Sequence, residues 1–437
     1  MGSFVLDTKT RQEEMLHEIG YANWDALFAD VPESVRLQPG SLDLPEGLSE
    51  LSVSRELKRL AGENVRFEHV FRGAGAYRHY IPAIVGRVTR KESFLTAYTP
   101  YQAEISQGIL QSIFEFQTMI CQLTGMDAAN ASVYDGATAA AEAAAMCVER
   151  RRTTVYVSET IHPDVMRVVS TYCFGRDTEP KTIPAKNGVT DTEALKAALD
   201  EEAACVLIAS PNFNGLLEPS KEIGELAHAA GAKLVMSCDP IALALFETPA
   251  ECGADVAVGE GQSLGLQLSW GGPYLGYMAA TSAMMRKLPG RIVGETKDKD
   301  GSRAFVLTLQ AREQHIRREK AGSNICSNEA LCALAASVYL AAMGPDGLRE
   351  VASQSYAKAH YLQRELAKIG LSPVYEGAFF EEFLTDCPHP ADILEALEKR
   401  GYLGGLPLSG NRLLWCATEM NTKDEIDELV SLVKEAL

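Results

Sequence analysis

The chain has 437 residues, 46% apolar and 23% charged, ordinary for a folded globular protein and enough for a large domain plus a smaller one. Its formal net charge of −18 and pI near 5.0 disfavour nucleic acid and anionic membrane surfaces as partners and leave a basic protein partner open. No apolar run approaches the roughly 20 residues that span a bilayer, and Met1-Gly2-Ser3-Phe4 lacks a basic-then-apolar signal layout, so a cytoplasmic location without membrane contact is expected.

In chain order, the first residues predict short helices loosely joined. Met15, Leu16 and Ile19 mark a helix over 11–19, Asn23 is placed to cap a second, and 54–62 is a third. Prolines 32, 39 and 45 interrupt them. This is too little apolar surface for an independent domain, so 1–68 is expected to wrap the body of the chain or a partner.

A long amphipathic helix is predicted from Glu104 to Leu123, stopped at Thr124-Gly125. An alanine-rich helix follows over 136–151. Strands over 154–157, 181–184, 205–209, 233–237 and 256–258 then alternate with helices over 163–172, 192–199 and 220–230. Short β-rich apolar runs alternating with helices predict an α/β fold with a mostly parallel sheet covered on both faces. The polar stretch 286–318 is expected to cross the surface. Helices over 328–343 and 346–369 are parted by Gly344-Pro345. Short strands (371–375, 413–417) and helices (390–400, 422–436) end the chain. The expected division is 1–68, a large α/β domain over 69–325, and a small α+β domain over 326–437.

Ten cysteines form no C-x-x-C, and those such as Cys121, Cys147, Cys205 and Cys332 sit in apolar or helical surroundings. They read as small buried hydrophobes in a reducing compartment. The eight histidines show no H-x-x-x-H or H-x-H, so no metal site is expected.

Ligands of such sheets bind beyond the carboxyl ends of the strands. Asp239 and Gln262 fall at that edge. Asp135-Gly136-Ala137-Thr138 opens the alanine-rich helix, where free amides make an anion seat; a plain helix cap explains the same residues. His162, before Pro163, could stack on a flat ring or cap a helix. Asp239, before Pro240, could hold a pyridinium nitrogen protonated or close a turn. In this order the three suggest the cofactor half of a pyridoxal phosphate (PLP) site. Such a site needs an ε-amine on the loop after the last parallel strand. That loop reads Gly259-Glu260-Gly261-Gln262-Ser263, and no lysine occurs between Lys233 and Lys287. Lys287 and Lys320 are the fallback candidates. P-loop, dinucleotide and nucleophile-elbow patterns are absent; the third glycine of a dinucleotide pattern would be Leu264. Tyr98-Thr99-Pro100-Tyr101-Gln102-Ala103-Glu104 is either a packed turn or a pocket-lining loop. The charge-dense segment 312–320 reads as a solvated face.

Three stretches, 94–108 (Phe94-Leu95-Thr96-Ala97-Tyr98-Thr99-Pro100-Tyr101-Gln102 and onward), 307–321 (Leu307-Thr308-Leu309-Gln310-Ala311-Arg312-Glu313-Gln314-His315 and onward) and Ser323-Asn324-Ile325-Cys326, resemble the glycine decarboxylase P-protein family. Specifically they resemble its N-terminal half, which in many bacteria is a separate subunit. The resemblance covers nearly the whole chain. It implies the aminotransferase-like fold of type I PLP enzymes. It implies a role in the glycine cleavage system, where glycine is decarboxylated and its aminomethyl group passes to the lipoyl arm of the H-protein. It implies PLP held covalently by a sister subunit, subunit 2 (beta), in an α2β2 heterotetramer. The sister's lysine position falls on Gln262 here. Gly136, Ala137, Thr138, His162, Asp239 and Gln262 then resemble a remnant PLP-type pocket. Tyr98, Thr99, Tyr101, Gln102 and Glu104 are expected to reach the sister subunit's site. The chain departs from the family at Gly322, where threonine is expected. Two alternatives stay open: a complete PLP enzyme using Lys287 or Lys320, and a pure scaffold contributing no active-site residue.

Overall fold

The computed structural model describes residues 7–37, 40–97, 99–269 and 272–437. It divides into two compact units, Met1–Arg66 and Phe67–Leu437.

In the first unit each helix starts at a side-chain cap. Thr8 caps Lys9–Glu18, Asn23 caps Trp24–Leu27, and Ser49 caps Glu50–Gly62, each accepting a backbone N–H. The Ser49 cap starts the third helix four residues before the expected 54. Leu16 is the buried residue of the first helix; the other two helices have none.

The second unit is built on a seven-stranded sheet. Its order is Ala128–Ala129, Gly276–Ala280, Val256–Glu260, Lys233–Ser237, Ala203–Ala209, Thr154–Ser158, Lys181–Ile183. The last five run parallel, and Gly276–Ala280 is antiparallel to both its neighbours. The strands are continuous apolar runs because both faces are covered. Successive residues feed opposite cores: Tyr156, Val206, Ile208, Leu234 and Met236 pack into one, Val155, Val157, Cys205, Leu207 and Val235 into the other.

The alanine-rich helix, Gly136–Cys147, lies in the second core with five fully buried alanines, Ala139, Ala140, Ala141, Ala143 and Ala144. It ends four residues before the expected 151. Val148 is extended, and Glu149 and Arg152 bond each other's backbone, which aims Arg152 at the carbonyls of Ala203 and Ala230.

Other expectations fail at particular places. The 286–318 stretch holds an antiparallel hairpin, Val293–Lys297 with Arg303–Leu307. Val293 and Phe305 pack against Leu110 and Ile113. Asp298 accepts the amides of Asp300 and Ser302 to close its turn. The expected strand over 371–375 makes one bridge, Pro373 with Thr385; proline has no N–H for a ladder. The sheet there is Glu382–Asp386, Arg412–Cys416 and Leu406–Leu408. Ala330–Lys368 is long and apolar enough by composition to cross a membrane, contrary to the sequence expectation. Gly344 breaks it with φ 62°, before Pro345 as anticipated, and Ala333, Ala336, Tyr339 and Ala352 are buried in the protein. Seven of the ten free cysteines are buried; Cys326 is exposed.

Candidate functional site

A cleft of about 340 Å³ opens at the carboxyl ends of the Ala203–Ala209, Lys233–Ser237 and Val256–Glu260 strands. Gly136, Ala137, His162 and Asp239 line it, so residues from three segments far apart in sequence do converge. Thr138 and Gln262 are not at its wall. Gly136, Thr138, His162, Asp239 and Gln262 each bond to other groups of the same chain.

His162 Nδ1 accepts the Asp164 amide (3.0 Å) and caps the Pro163–Phe174 helix. Nε2 therefore carries the proton, which it donates to the Ala74 carbonyl (3.0 Å). The ring meets Phe213 edge-on at 4.8 Å. A Cβ added to Gly75 would lie 3.3 Å from it, so that backbone packs on the imidazole. Capping and ring contact are both present, but the ring contact is with the chain's own loop.

Asp239 closes a turn: its Oδ1 accepts the amides of Ile241 (2.8 Å) and Ala242 (2.9 Å). Burial pushes its carboxyl above the ordinary value, with His79 pulling the other way.

Gln262 is 1% exposed. Its Nε2 donates to the carbonyls of Tyr77 and Leu266 (both 2.9 Å), and its Oε1 accepts the Tyr77 amide (2.8 Å). Both amide protons and the oxygen are in use.

At the helix start, Thr138 N–H goes to Asp135 Oδ1 (2.7 Å), the ordinary cap. Gly136 N–H goes to Glu260 Oε2 (2.9 Å). Glu260 Oε1 accepts two more amides, from Gln262 (3.0 Å) and Leu275 (2.9 Å). Burial lifts this carboxyl to about 7, against those hydrogen bonds.

Sequence reasoning missed Glu260 and a second group, the 73–77 segment with Glu382. Glu382 Oε1 accepts the Ala74 amide (2.6 Å) and Oε2 the Tyr77 hydroxyl (2.7 Å). Ala74 has φ 59° and Gly75 φ 100°, a tight turn that brings the segment over His162. The only signal was the small-residue run Gly73-Ala74-Gly75-Ala76.

The cleft wall includes Asp135, Asp164, Asp239 and Glu260 and, among the described residues, no lysine or arginine. Lys287 pairs with Glu149 (2.6 Å) on the surface, and neither it nor Lys320 lines the cleft; both border another depression. The fallback lysines are thus elsewhere.

The described part of the loop, 99–104, lies by a different pocket. Tyr98 is outside the described residues. Thr99 has φ 44° and its carbonyl accepts the Tyr101 amide (2.8 Å). The Tyr101 hydroxyl donates to Asn328 Oδ1, and the Arg291 guanidinium sits 5.2 Å from its ring centre. Gln102 and Glu104 are exposed. Arg291 is ion-paired with buried Glu313 and helps line a pocket of about 520 Å³ with His315, Arg318 and Cys326. The 312–320 segment is solvated over 314–320, as expected, while Arg312 and Glu313 are turned inward, and part of it also lines this pocket.

The family profile described as glycine cleavage system P-protein matches residues 3–433. A curated relative from Desulfitobacterium hafniense, named "Probable glycine dehydrogenase (decarboxylating) subunit 1", is 51% identical over 98% of both chains. A crystal structure of glycine decarboxylase (P-protein) of the glycine cleavage system, in inhibitor-bound form, superposes with TM-score 0.94 at 42% identity over the whole of both chains. An alanine–glyoxylate aminotransferase from Nostoc sp. shares the fold, with TM-score 0.60 at 16% identity over 92% of this chain and all of its own.

Proposed function

This chain belongs to the glycine cleavage system P-protein family, and from that premise we propose that it is the subunit that does not carry the cofactor: PLP is held by the second subunit, and this chain completes the enzyme around it. Its fold is the aminotransferase-like fold of type I PLP enzymes, and the name subunit 1 in its relatives implies a second subunit.

The observation that carries the proposal is Gln262. It stands where the resemblance expects the Schiff-base lysine, has no ionisable amine, and spends its donors on Tyr77 and Leu266. The other residues of the cleft do not fit PLP either. Glu260 takes the Gly136 amide, Gly75 packs on His162, and the lining carries carboxyls and, among the described residues, no lysine or arginine. No chemical step is assigned to this cleft.

The reaction of the whole enzyme is then glycine decarboxylation, with transfer of the aminomethyl group to the lipoyl arm of the H-protein, in a cytoplasmic α2β2 assembly. The 98–104 loop is the part of this chain that reaches the second subunit's site. Arg291 and Asn328 hold Tyr101 in one orientation, as a residue presented to a partner needs.

Borohydride reduction of the reconstituted complex, followed by peptide mapping, tests the assignment. All PLP label is expected on subunit 2. Stoichiometric label on Lys287 or Lys320 would make this chain a complete PLP enzyme and overturn it.

A further inference from the structure

We propose that the Glu260 carboxyl is seated where a cofactor phosphate would sit, and that it closes this chain to phosphorylated ligands independently of the missing lysine. The inference rests on the reading that PLP chemistry belongs to the second subunit, and deepens it by giving the cleft a second, separable lock.

The amino end of a helix attracts an anion through free amides and the helix dipole. Here the Gly136 amide is taken by Glu260 Oε2 at 2.9 Å. The amides of Gln262 and Leu275 reach Oε1 at 3.0 and 2.9 Å. Donors from three separate segments thus converge on one carboxyl, leaving a phosphate oxygen to compete for bonds already made. Space is closed as well. A Cβ at Gly136 would lie 2.8 Å from Glu260 N and 2.9 Å from Glu260 Cβ, so helix start and strand end are in direct contact. Charge opposes a phosphate too, since Asp135, Asp164 and Asp239 share the cleft with Glu260. Burial holds Glu260 near pKa 7, so a second anion brought beside it would meet either its charge or its proton.

Gln262 is the other lock. It grips the backbone of Tyr77 on both sides and so holds the 73–77 segment against His162, where a flat ring would stack. Replacing Gln262 by lysine removes that grip, leaving the Glu382 bonds to Ala74 and Tyr77, and supplies an amine. It leaves the Glu260 carboxyl in place.

The test uses the full-length chain, with PLP as probe and borohydride reduction as readout. Gln262→Lys alone is expected to show little adduct at residue 262. Glu260→Ser with Gln262→Lys, which empties the seat, is expected to show roughly tenfold more, because the amides of Gly136, Gln262 and Leu275 are released for a phosphate. Equal labelling of the single and double variants would overturn the assignment. If the double variant does not fold, Glu260→Ser alone is titrated with inorganic phosphate. Its melting temperature should rise by about 2 °C while the wild type is unmoved, the sign of a ligand bound by the folded state; an equal rise in the wild type, or none in the variant, would sink the idea. Label on the wild-type chain refutes the earlier assignment of PLP to subunit 2. Label on the single Gln262→Lys variant equal to that on the double refutes only the present one.

Discussion

Tyr77 donates its hydroxyl to Glu382 Oε2 at 2.7 Å, and the other oxygen of that carboxyl accepts the Ala74 amide at 2.6 Å. One buried acid thereby fixes both ends of the turn that covers His162. Burial pushes the Glu382 carboxyl from 4.5 to about 7, against the pull of those two hydrogen bonds. Its folded value lies above its unfolded one. The folded protein therefore holds a proton that the unfolded chain has lost, and this contribution to stability is full below about pH 4.5 and is lost as pH rises through 7. Glu260 adds in the same direction and window. Unfolding free energy should fall between pH 5 and 8, by up to about 3 kcal/mol per group. Glu382→Gln should flatten that slope, whatever it does to the absolute stability. Denaturant melts of both proteins at pH 5 and pH 8 check this; parallel slopes would refute it.

The Gln262 amide is a clamp that shape alone cannot replace. Gln262→Glu keeps the size but turns the donor facing the Tyr77 and Leu266 carbonyls into an acceptor. Two buried carbonyls lose their partner, at about 1–3 kcal/mol each. A fall in stability of about 2–5 kcal/mol is expected by urea unfolding, larger at pH 8 than at pH 5, where the new carboxyl can hold a proton. A neutral substitution would mean that the 73–77 segment is held by Glu382 alone.

Tyr101→Phe removes the hydroxyl bond to Asn328 and keeps the ring beside Arg291. The isolated chain should lose about 1 kcal/mol. In the reconstituted enzyme, glycine decarboxylation should drop by about tenfold or more if the loop positions substrate or cofactor, because small misplacements are costly. The complex should stay intact on gel filtration. Full activity would favour the scaffold alternative.

Gly136→Ala tests the seat from the other side. The new methyl would meet Glu260 N at 2.8 Å, closer than real contacts allow, so helix and strand must part. Overpacking of this kind costs about 1–3 kcal/mol. Melting-temperature shifts measure it. A plain anion-binding glycine, with open space before it, would accept alanine at little cost.

What was legible in the sequence follows from where the signal lies. The five parallel strands stood out because burial on both faces leaves unbroken apolar runs, as at 203–209 and 233–237. Their ends placed Asp239 and Gln262 at the ligand edge, where Asp239 lines the cleft and Gln262 does not, and the Gly344-Pro345 break was plain from residue chemistry. Gly276–Ala280, with small residues, and the 293–307 hairpin, with exposed charges, carry weaker patterns and were missed. The tenants of the cleft were hidden for another reason. Tyr77 lies 185 residues from Gln262 and 305 from Glu382, and Gly136 lies 124 from Glu260. No local rule pairs residues so far apart. The missing lysine was legible in the sequence; the residues packed around its position were not.

The amides of Gly136, Gln262 and Leu275 already have their acceptor within the chain. A protein whose cleft waits for a cofactor folds more firmly as that cofactor accumulates, by mass action. This one carries its substitute covalently, at a concentration that dilution cannot lower. On the proposal that Glu260 fills this seat, its folded population is expected to be indifferent to the supply of PLP.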